Sequence, residues 1–394
     1  MKPVAKIELS GLMASKAVRR IFDILQEDKK LPQTLFVGGC VRNALLKEPV
    51  SDIDLATIWT PQQVSGKLKA AGVKVVPTGI DHGTVTAVVD GLPIQITTLR
   101  RDIDTDGRHA KVSYTDDWLE DAKRRDFTMN TLLADNRGNI FDPLVRGLAD
   151  LEKRKVIFVG DPVTRIEEDY LRILRFFRFH AWYGKSRPDD KALAACANAA
   201  RNLKTLSKER VTQEILKILL SPRPEIFNLM FENKILLQLF DKKFNADYFS
   251  LVRKVSNEDG ISATIGILIL SGFSKSGSRR IEKQLRLSNK QIRSVNESIF
   301  YLKEFRGISG HGLKVLLYRA GHEIAELVLI SRLLLDGASV AAGRKWISVL
   351  RGMERPVMPL RGQDLIDQGM KPGPAIKKAL EKFERSWIRK DFKV

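Results

Sequence analysis

The chain opens with strand patterns. Residues 34–37 (TLFV) form a short apolar run that ends on Gly38-Gly39, as a strand entering a tight turn does. Residues 40–47 (CVRNALLK) suit a turn or two of helix. Residues 51–58 (SDIDLATI) alternate polar and apolar with period two, the pattern of a half-buried strand. Residues 84–99 carry two β-branched runs around Asp90-Gly91, which predicts a hairpin. The polar stretch 100–110 (RRDIDTDGRHA) predicts a mobile loop.

From about residue 150 the period lengthens to that of helices. One helix is predicted over 164–184, ending at Gly184, an Ala-rich one over 189–206, and a third over 208–222, stopping at Pro222. The remainder stays helical, with breaks near 255–260, 271–278, 306–312 and 352–363. This is an α+β head followed by an all-α remainder, divided as 1–150, 151–220 and 221–394. The most apolar stretch, 261–273, is too short to span a bilayer and is interrupted by Ser262, Thr264 and Gly266, so it predicts a buried helix.

Composition narrows the class. Hydrophobic residues make up 43% of 394, enough to fill cores, and no stretch predicts a membrane span. The segment MKPVAKIELS lacks an apolar signal core, so a cytoplasmic location is expected. Two isolated cysteines and five scattered histidines make neither a disulfide framework nor a zinc site. The formal net charge of +20 calls for a polyanionic partner, and nucleic acid suits it better than a membrane surface.

Candidate chemistry concentrates on the acidic strand. Asp52 and Asp54, at i and i+2, project from one face. Two carboxylates without a nearby His or Cys make a hard-oxygen site suited to Mg²⁺, whose other ligands come from waters and substrate phosphates. Gly38 and Gly39 would let backbone amides approach phosphate oxygens closely, and Arg42 would neutralise a triphosphate.

These segments, LFVGGCVRNALL and SDIDLAT, resemble the signature of the polymerase-β-like nucleotidyltransferases. More narrowly, they resemble the class II CCA-adding enzymes and bacterial poly(A) polymerases. Residues 121–132 (DAKRRDFTMNTL), 141–151 (FDPLVRGLADL) and the E-D-x-x-R spacing of Glu168, Asp169 and Arg172 are similar to the group's next three motifs, in order. Residues 359–380 are similar to the tail of CCA-adding enzymes. The resemblance implies a small mixed-sheet head followed by an elongated all-α neck, body and tail.

It also implies roles. Arg125 with its neighbours Asp126 and Asn130 would contact the nucleotide's sugar and phosphates. Asp142, Gly147 and Asp150 would shape a hinge. Asp169 and Arg172, i and i+3 on a helix, would read the incoming base, with Arg175 near phosphate or the base stack. An Asp accepts from the exocyclic amine of C or A while an Arg donates to the ring nitrogen. Uracil and guanine present a carbonyl and a ring N–H there, leaving charged groups unmatched. Phe176 and Phe177 would seat this helix, and Arg178 would be structural.

Two positions depart from the group: Asn43, where an acid is frequent, and, more strongly, Gln95. Gln95 stands where relatives carry a third carboxylate, so that ligand is either dispensable or supplied by Asp102 or Asp104. Residues 77–91 lack the basic stretch of the poly(A) enzymes, and 102–110 resembles the flexible loop of the CCA-adding ones. The expected function is addition of C, C and A to the tRNA 3′ end from CTP and ATP, with Mg²⁺. Partners are the tRNA acceptor arm and 3′ end, bound in part through Lys377 and Lys378, and a monomer is favoured. The alternatives are a poly(A) or A-adding enzyme, or a catalytically silent RNA-binding protein on the same fold.

Overall fold

A computed structural model describes residues 1–28, 31–79, 83–104, 111–185, 187–240, 244–245, 247–256 and 262–393, with backbone only for 78, 102–104, 111 and 112. It divides into two compact units, Met1–Leu206 with Asn233–Ile235, and Ser207–Glu232 with Leu236–Val394. Residues 151–206 therefore share a unit with the strands.

The first unit is built on an eight-stranded mixed sheet. Its elements, in chain order, are β1 (Ala5–Lys6), α1 (Lys16–Leu25), β2 (Thr34–Val37), α2 (Gly39–Leu46), β3 (Ile53–Thr57), α3 (Pro61–Ala70), β4 (Lys74–Gly79), β5 (Thr84–Val89) and β6 (Leu92–Thr98). There follow β7 (Arg100–Asp104), β8 (Lys111–Tyr114), α4 (Trp118–Lys123), β9 (Leu133–Ala134), β10 (Asn139–Phe141), α5 (Gly147–Glu152), α6 (Pro162–Glu168), α7 (Leu171–Tyr183) and α8 (Asp190–Ala199). The strand order is β1-β10-β9-β2-β3-β6-β5-β4. Only β3 and β6 pair in parallel; the other pairs are antiparallel.

Period-two patterning decides which face of each strand is buried. Ile53 and Leu55 of β3 are buried, as are Ile94 and Ile96 of β6, while Asp54 and Gln95 between them are not. The β5–β6 hairpin turns on Asp90 (φ 51°) and Gly91 (φ 78°), both left-handed as a type I′ turn requires.

Two predicted elements differ. The expected loop 100–110 begins as strand: β7 pairs antiparallel with β8, which follows the stretch, in a separate two-stranded sheet. Main-chain pairing needs no apolar side chains, so polarity alone misread it. The remaining residues of that stretch, 105–110, lie outside the described residues.

The second difference is the predicted helix over 164–184, which is two helices. Asp169 is extended (φ −157°), and its Oδ1 accepts from the Leu171 amide at 3.1 Å. A short acidic side chain that bonds the backbone ahead of it starts a new helix and ends the old one. Likewise, α8 stops at Ala199 and continues as a 3₁₀ turn over Ala200–Thr205.

An aromatic cluster holds these elements. Phe127 packs 4.9 Å, centroid to centroid, from both Phe158 and Phe179, and Phe158 stacks on Phe176 at 5.6 Å. Phe127, Phe176 and Phe177 are fully buried, each worth roughly 1.5–3 kcal/mol of transfer free energy. The predicted anchoring of the motif helix by Phe176 and Phe177 is thus observed.

The regular elements described in the second unit are all helices: α9 (Lys208–Leu219), α10 (Ile226–Glu232), α11 (Asp247–Ser256), α12 (Ala263–Leu270), α13 (Lys275–Gln284), α14 (Asn289–Glu304), α15 (Gly310–Leu335, interrupted at Gly321), α16 (Val340–Arg351), α17 (Gly362–Asp367) and α18 (Pro374–Arg389), with a 3₁₀ turn at Leu236–Gln238. The apolar stretch after residue 261 is the buried helix α12, as its composition predicts. No helix among the described residues is long and apolar enough to cross a membrane.

Candidate active site

The site begins at the end of β2. Gly38 takes φ 68°, ψ −124°, a conformation closed to residues with a β-carbon, and α2 starts at the next residue. The chain therefore reverses from strand to helix in one step, leaving the first amides of α2 without helical partners.

On the neighbouring strand, Asp54 is half-buried and Asp52, one residue before β3, is exposed. Burial pushes the Asp54 carboxyl above the usual carboxylate range, and the Asp52 charge adds to this, while Arg125 opposes it. A cation between the two acids would relieve that repulsion. Among the described residues no cluster of three or more His, Cys, Asp or Glu forms a ready metal cage. The donor set is two carboxylates on one face, which fits a divalent cation that takes further oxygens from a substrate.

Arg125 lies between these parts. A β-carbon on Gly38 would stand 3.9 Å from Arg125 Nη1, so the guanidinium borders the glycine turn as well as Asp54. Asp121 holds it there. Arg125 Nη2 donates to Asp121 Oδ2 at 2.8 Å, and Arg124 Nη2 donates to Asp121 Oδ1 at 2.6 Å. Burial alone would raise the Asp121 carboxyl, but the two guanidiniums hold it below the ordinary range. Asp121 was not singled out from sequence, although its spacing of three and four residues from two arginines is the signal of such a fork.

Four other predicted residues form one hydrogen-bonded chain, buried except for the half-buried Arg175. Arg42 is buried, and its Nη1 donates to Asn130 Oδ1 at 2.8 Å. Its Nη2 donates to Tyr183 Oη at 2.7 Å, and its guanidinium carbon lies 4.0 Å from the centre of the Tyr183 ring. Asn130 Nδ2 donates to Asp126 Oδ1 at 2.9 Å, and Arg175 Nε donates to Asp126 Oδ2 at 2.8 Å. The Arg42 guanidinium is thus engaged by Asn130 and Tyr183, and it also borders the glycine turn: a β-carbon on Gly39 would stand 3.7 Å from its Nη2. Asp126 and Asn130 likewise bond to protein groups, and Arg175 pairs with Asp126. The chain ties α2, the segment after α4 and α7 together. Tyr183 is a further member that sequence reasoning missed, because it lies at the far end of α7, about three turns beyond Arg172.

The elbow between α6 and α7 carries the predicted base-reading pair. Asp169 and Arg172 are not one turn apart on a continuous helix, as expected, because Asp169 is the extended residue between two helices. Glu168 accepts from both Arg172 and Arg165. Arg172 Nη1 also donates to the Arg165 carbonyl at 2.7 Å, and Arg165 Nη2 donates to the Arg125 carbonyl at 2.8 Å. Arg165, absent from the sequence prediction, thus straps the elbow to the segment that carries Arg125. Arg178 lies over the Phe179 ring at 4.5 Å, in keeping with a structural role.

The third motif is structural here. Asp150 accepts from Thr128 Oγ1 at 2.8 Å and Asp142 from the Leu148 amide at 3.0 Å. A β-carbon at Gly147 would meet the Thr128 carbonyl oxygen at 2.6 Å, so only glycine lets α5 start there. In the second unit, Lys377 and Lys378 are exposed on α18.

Comparison with known proteins now bears on this arrangement. The family model described as "Poly A polymerase head domain" matches residues 34–157, and "Probable RNA and SrmB- binding site of polymerase A" matches 187–246. The mitochondrial CCA tRNA nucleotidyltransferase 1 of Mus musculus is 32% identical over 377 residues, covering 91% of this chain and 83% of that protein. The chain belongs to the CCA-adding tRNA nucleotidyltransferases. The CCA-adding enzyme of Limosilactobacillus fermentum is 31% identical over 357 residues, covering 88% of this chain and 86% of that one. The solved structure of the Bacillus stearothermophilus CCA-adding enzyme in complex with CTP superposes with a TM-score of 0.72 at 25% identity, over 96% of this chain and 94% of that one. The CCA-adding family thus accounts for the mixed-sheet head and the helical remainder, both expected from sequence.

Proposed function

We propose that this chain adds C, C and A to the 3′ end of tRNA from CTP and ATP, without a nucleic-acid template. The observation that carries the reading is the convergence of Asp52 and Asp54, the Gly38 turn and Arg125 in one unit with the Asp169–Arg172 elbow. Asp52 and Asp54 would hold Mg²⁺. Bound there, the ion would polarise the α-phosphate and favour ionisation of the tRNA 3′-hydroxyl. The hydroxyl oxygen forms the new bond to the α-phosphorus, and the bond to pyrophosphate breaks.

The chain's own groups supply position. Arg125, fixed by Asp121, presents a guanidinium edge beside the glycine turn, where phosphate oxygens would lie. Arg42, Asn130, Asp126 and Arg175 hold the surrounding walls. Asp169 would accept from the amine of C or A, and Arg172 would donate to the adjacent ring nitrogen. Glu168 sets the Arg172 side chain in its place. The helical second unit, with Lys377 and Lys378, would bind the acceptor arm through phosphates.

The test supplies labelled CTP and ATP, singly and together, to tRNA lacking its terminal nucleotides, and sequences the 3′ ends. Ends in CC with CTP alone and CCA with both support the reading. A-only addition, long A tails, or no incorporation would overturn it.

A further inference from the structure

The parallel pairing of β3 and β6 sets Gln95 directly beside Asp54. Adjacent strands stand about 4.8 Å apart, so paired side chains on one face are within reach of one ion. Both do share a face, since Ile53, Leu55, Ile94 and Ile96 all occupy the buried one. Gln95 is exposed, and no hydrogen bond engages its carboxamide among the described residues. On the next strand, Thr86 pairs with Gln95, extending the same row. The paired positions across β3, β6 and β5 are therefore a carboxylate, a carboxamide and a buried hydroxyl.

A carboxamide offers a hard oxygen to a divalent ion but brings no charge. Affinity for such ions rises with the number of charged ligands. Resting on the function proposed above, we propose that Gln95 is a neutral oxygen ligand to the divalent ion at Asp52 and Asp54. It leaves the free protein a poor metal binder, so that metal and nucleotide enter together. The triphosphate then supplies the missing negative charge. Metal loading becomes conditional on the substrate, because of one uncharged side chain.

Mn²⁺ is the probe, titrated into the full chain without tRNA, with free Mn²⁺ read by electron paramagnetic resonance. The wild-type chain is expected to bind Mn²⁺ weakly alone and about tenfold or more tighter with CTP. Gln95→Glu is expected to bind it at least about tenfold tighter than wild type without CTP, and Asp54→Asn in that background to cancel the gain. Gln95→Leu, which keeps the β-strand but loses the oxygen, should bind more weakly than wild type in the presence of CTP. Equal affinities for wild type and Gln95→Glu would overturn the proposal, as would a gain that survives Asp54→Asn or a Gln95→Leu chain that matches wild type. Nucleotide incorporation is scored separately. Normal CCA addition with unchanged Mn²⁺ binding sinks this inference alone, and absent addition with the expected binding sinks the function alone.

Discussion

Arg175 and Asp126, 49 residues apart in sequence, are joined by a 2.8 Å hydrogen bond from Nε to Oδ2 inside the first unit. The pair closes a chain of contacts that runs through Asn130 and Arg42 to Tyr183. It fixes the helix after the elbow against the segment after α4. Nucleotide selection needs such rigidity, because a misplacement of about 1 Å at a reacting or reading group costs orders of magnitude in rate.

Asp126→Asn is therefore expected to destabilise the first unit. Breaking one side of a buried pair costs roughly 3–5 kcal/mol, and the lower end applies because the Arg175 side chain keeps 32% of its exposure. Urea unfolding followed by tryptophan fluorescence measures it. The loss should depend on pH. Burial works against the charged form, but Arg175, Asn130 and the Phe127 amide hold the Asp126 carboxyl below its ordinary value. Its contribution is thus full above the unfolded value of about 3.9 and declines as pH falls toward the folded value. Wild type and Asp126→Asn should converge in stability at the acid end.

Asp54→Asn removes half of the charge at the proposed ion site. Incorporation of CTP into tRNA lacking its 3′ end should drop by roughly a thousandfold, the scale of several kcal/mol of lost charge stabilisation. The melting temperature should hold or rise, because burial and Asp52 both disfavour the Asp54 charge in the folded protein. Retained turnover would remove Asp54 from the chemistry.

Asp169→Ala tests base reading. Single-nucleotide incorporation with each of the four triphosphates should show discrimination of C and A against U and G reduced about tenfold to a hundredfold, the worth of roughly 1–3 kcal/mol of unmatched polar groups. Glu168→Gln should act in the same direction through Arg172, which it holds. Unchanged selectivity in both variants would show that the elbow does not read the base.

Lys377→Ala with Lys378→Ala tests the tail. For every lysine–phosphate pairing that the substitutions remove, the slope of log affinity against log salt should fall by just under one unit. Filter binding of tRNA at several salt concentrations gives the slope. An unaltered slope would make these lysines ordinary solvated residues of α18.

The sequence by itself determined the local parts. Period-two alternation announced β3, since side chains on a strand must alternate between core and solvent, and two β-branched runs around Asp90-Gly91 announced the β5–β6 hairpin. Paired glycines before a helix and two aspartates two residues apart are chemical statements that need no tertiary context. Four motifs in order carried the family, and the net charge carried the class of partner. The tertiary structure decided which charges face inward. Arg42 and Arg125 look alike along the chain. One is buried against Asn130 and Tyr183, and the other is held by Asp121 beside Asp54 and the glycine turn. The elbow at Asp169 was equally hidden, because helical periodicity runs through it while one side chain bonds the backbone and ends the helix. The resemblance had already singled out Gln95, but only register placed it directly beside Asp54. A sequence lists donors and acceptors; pairing between them depends on distances that folding alone sets.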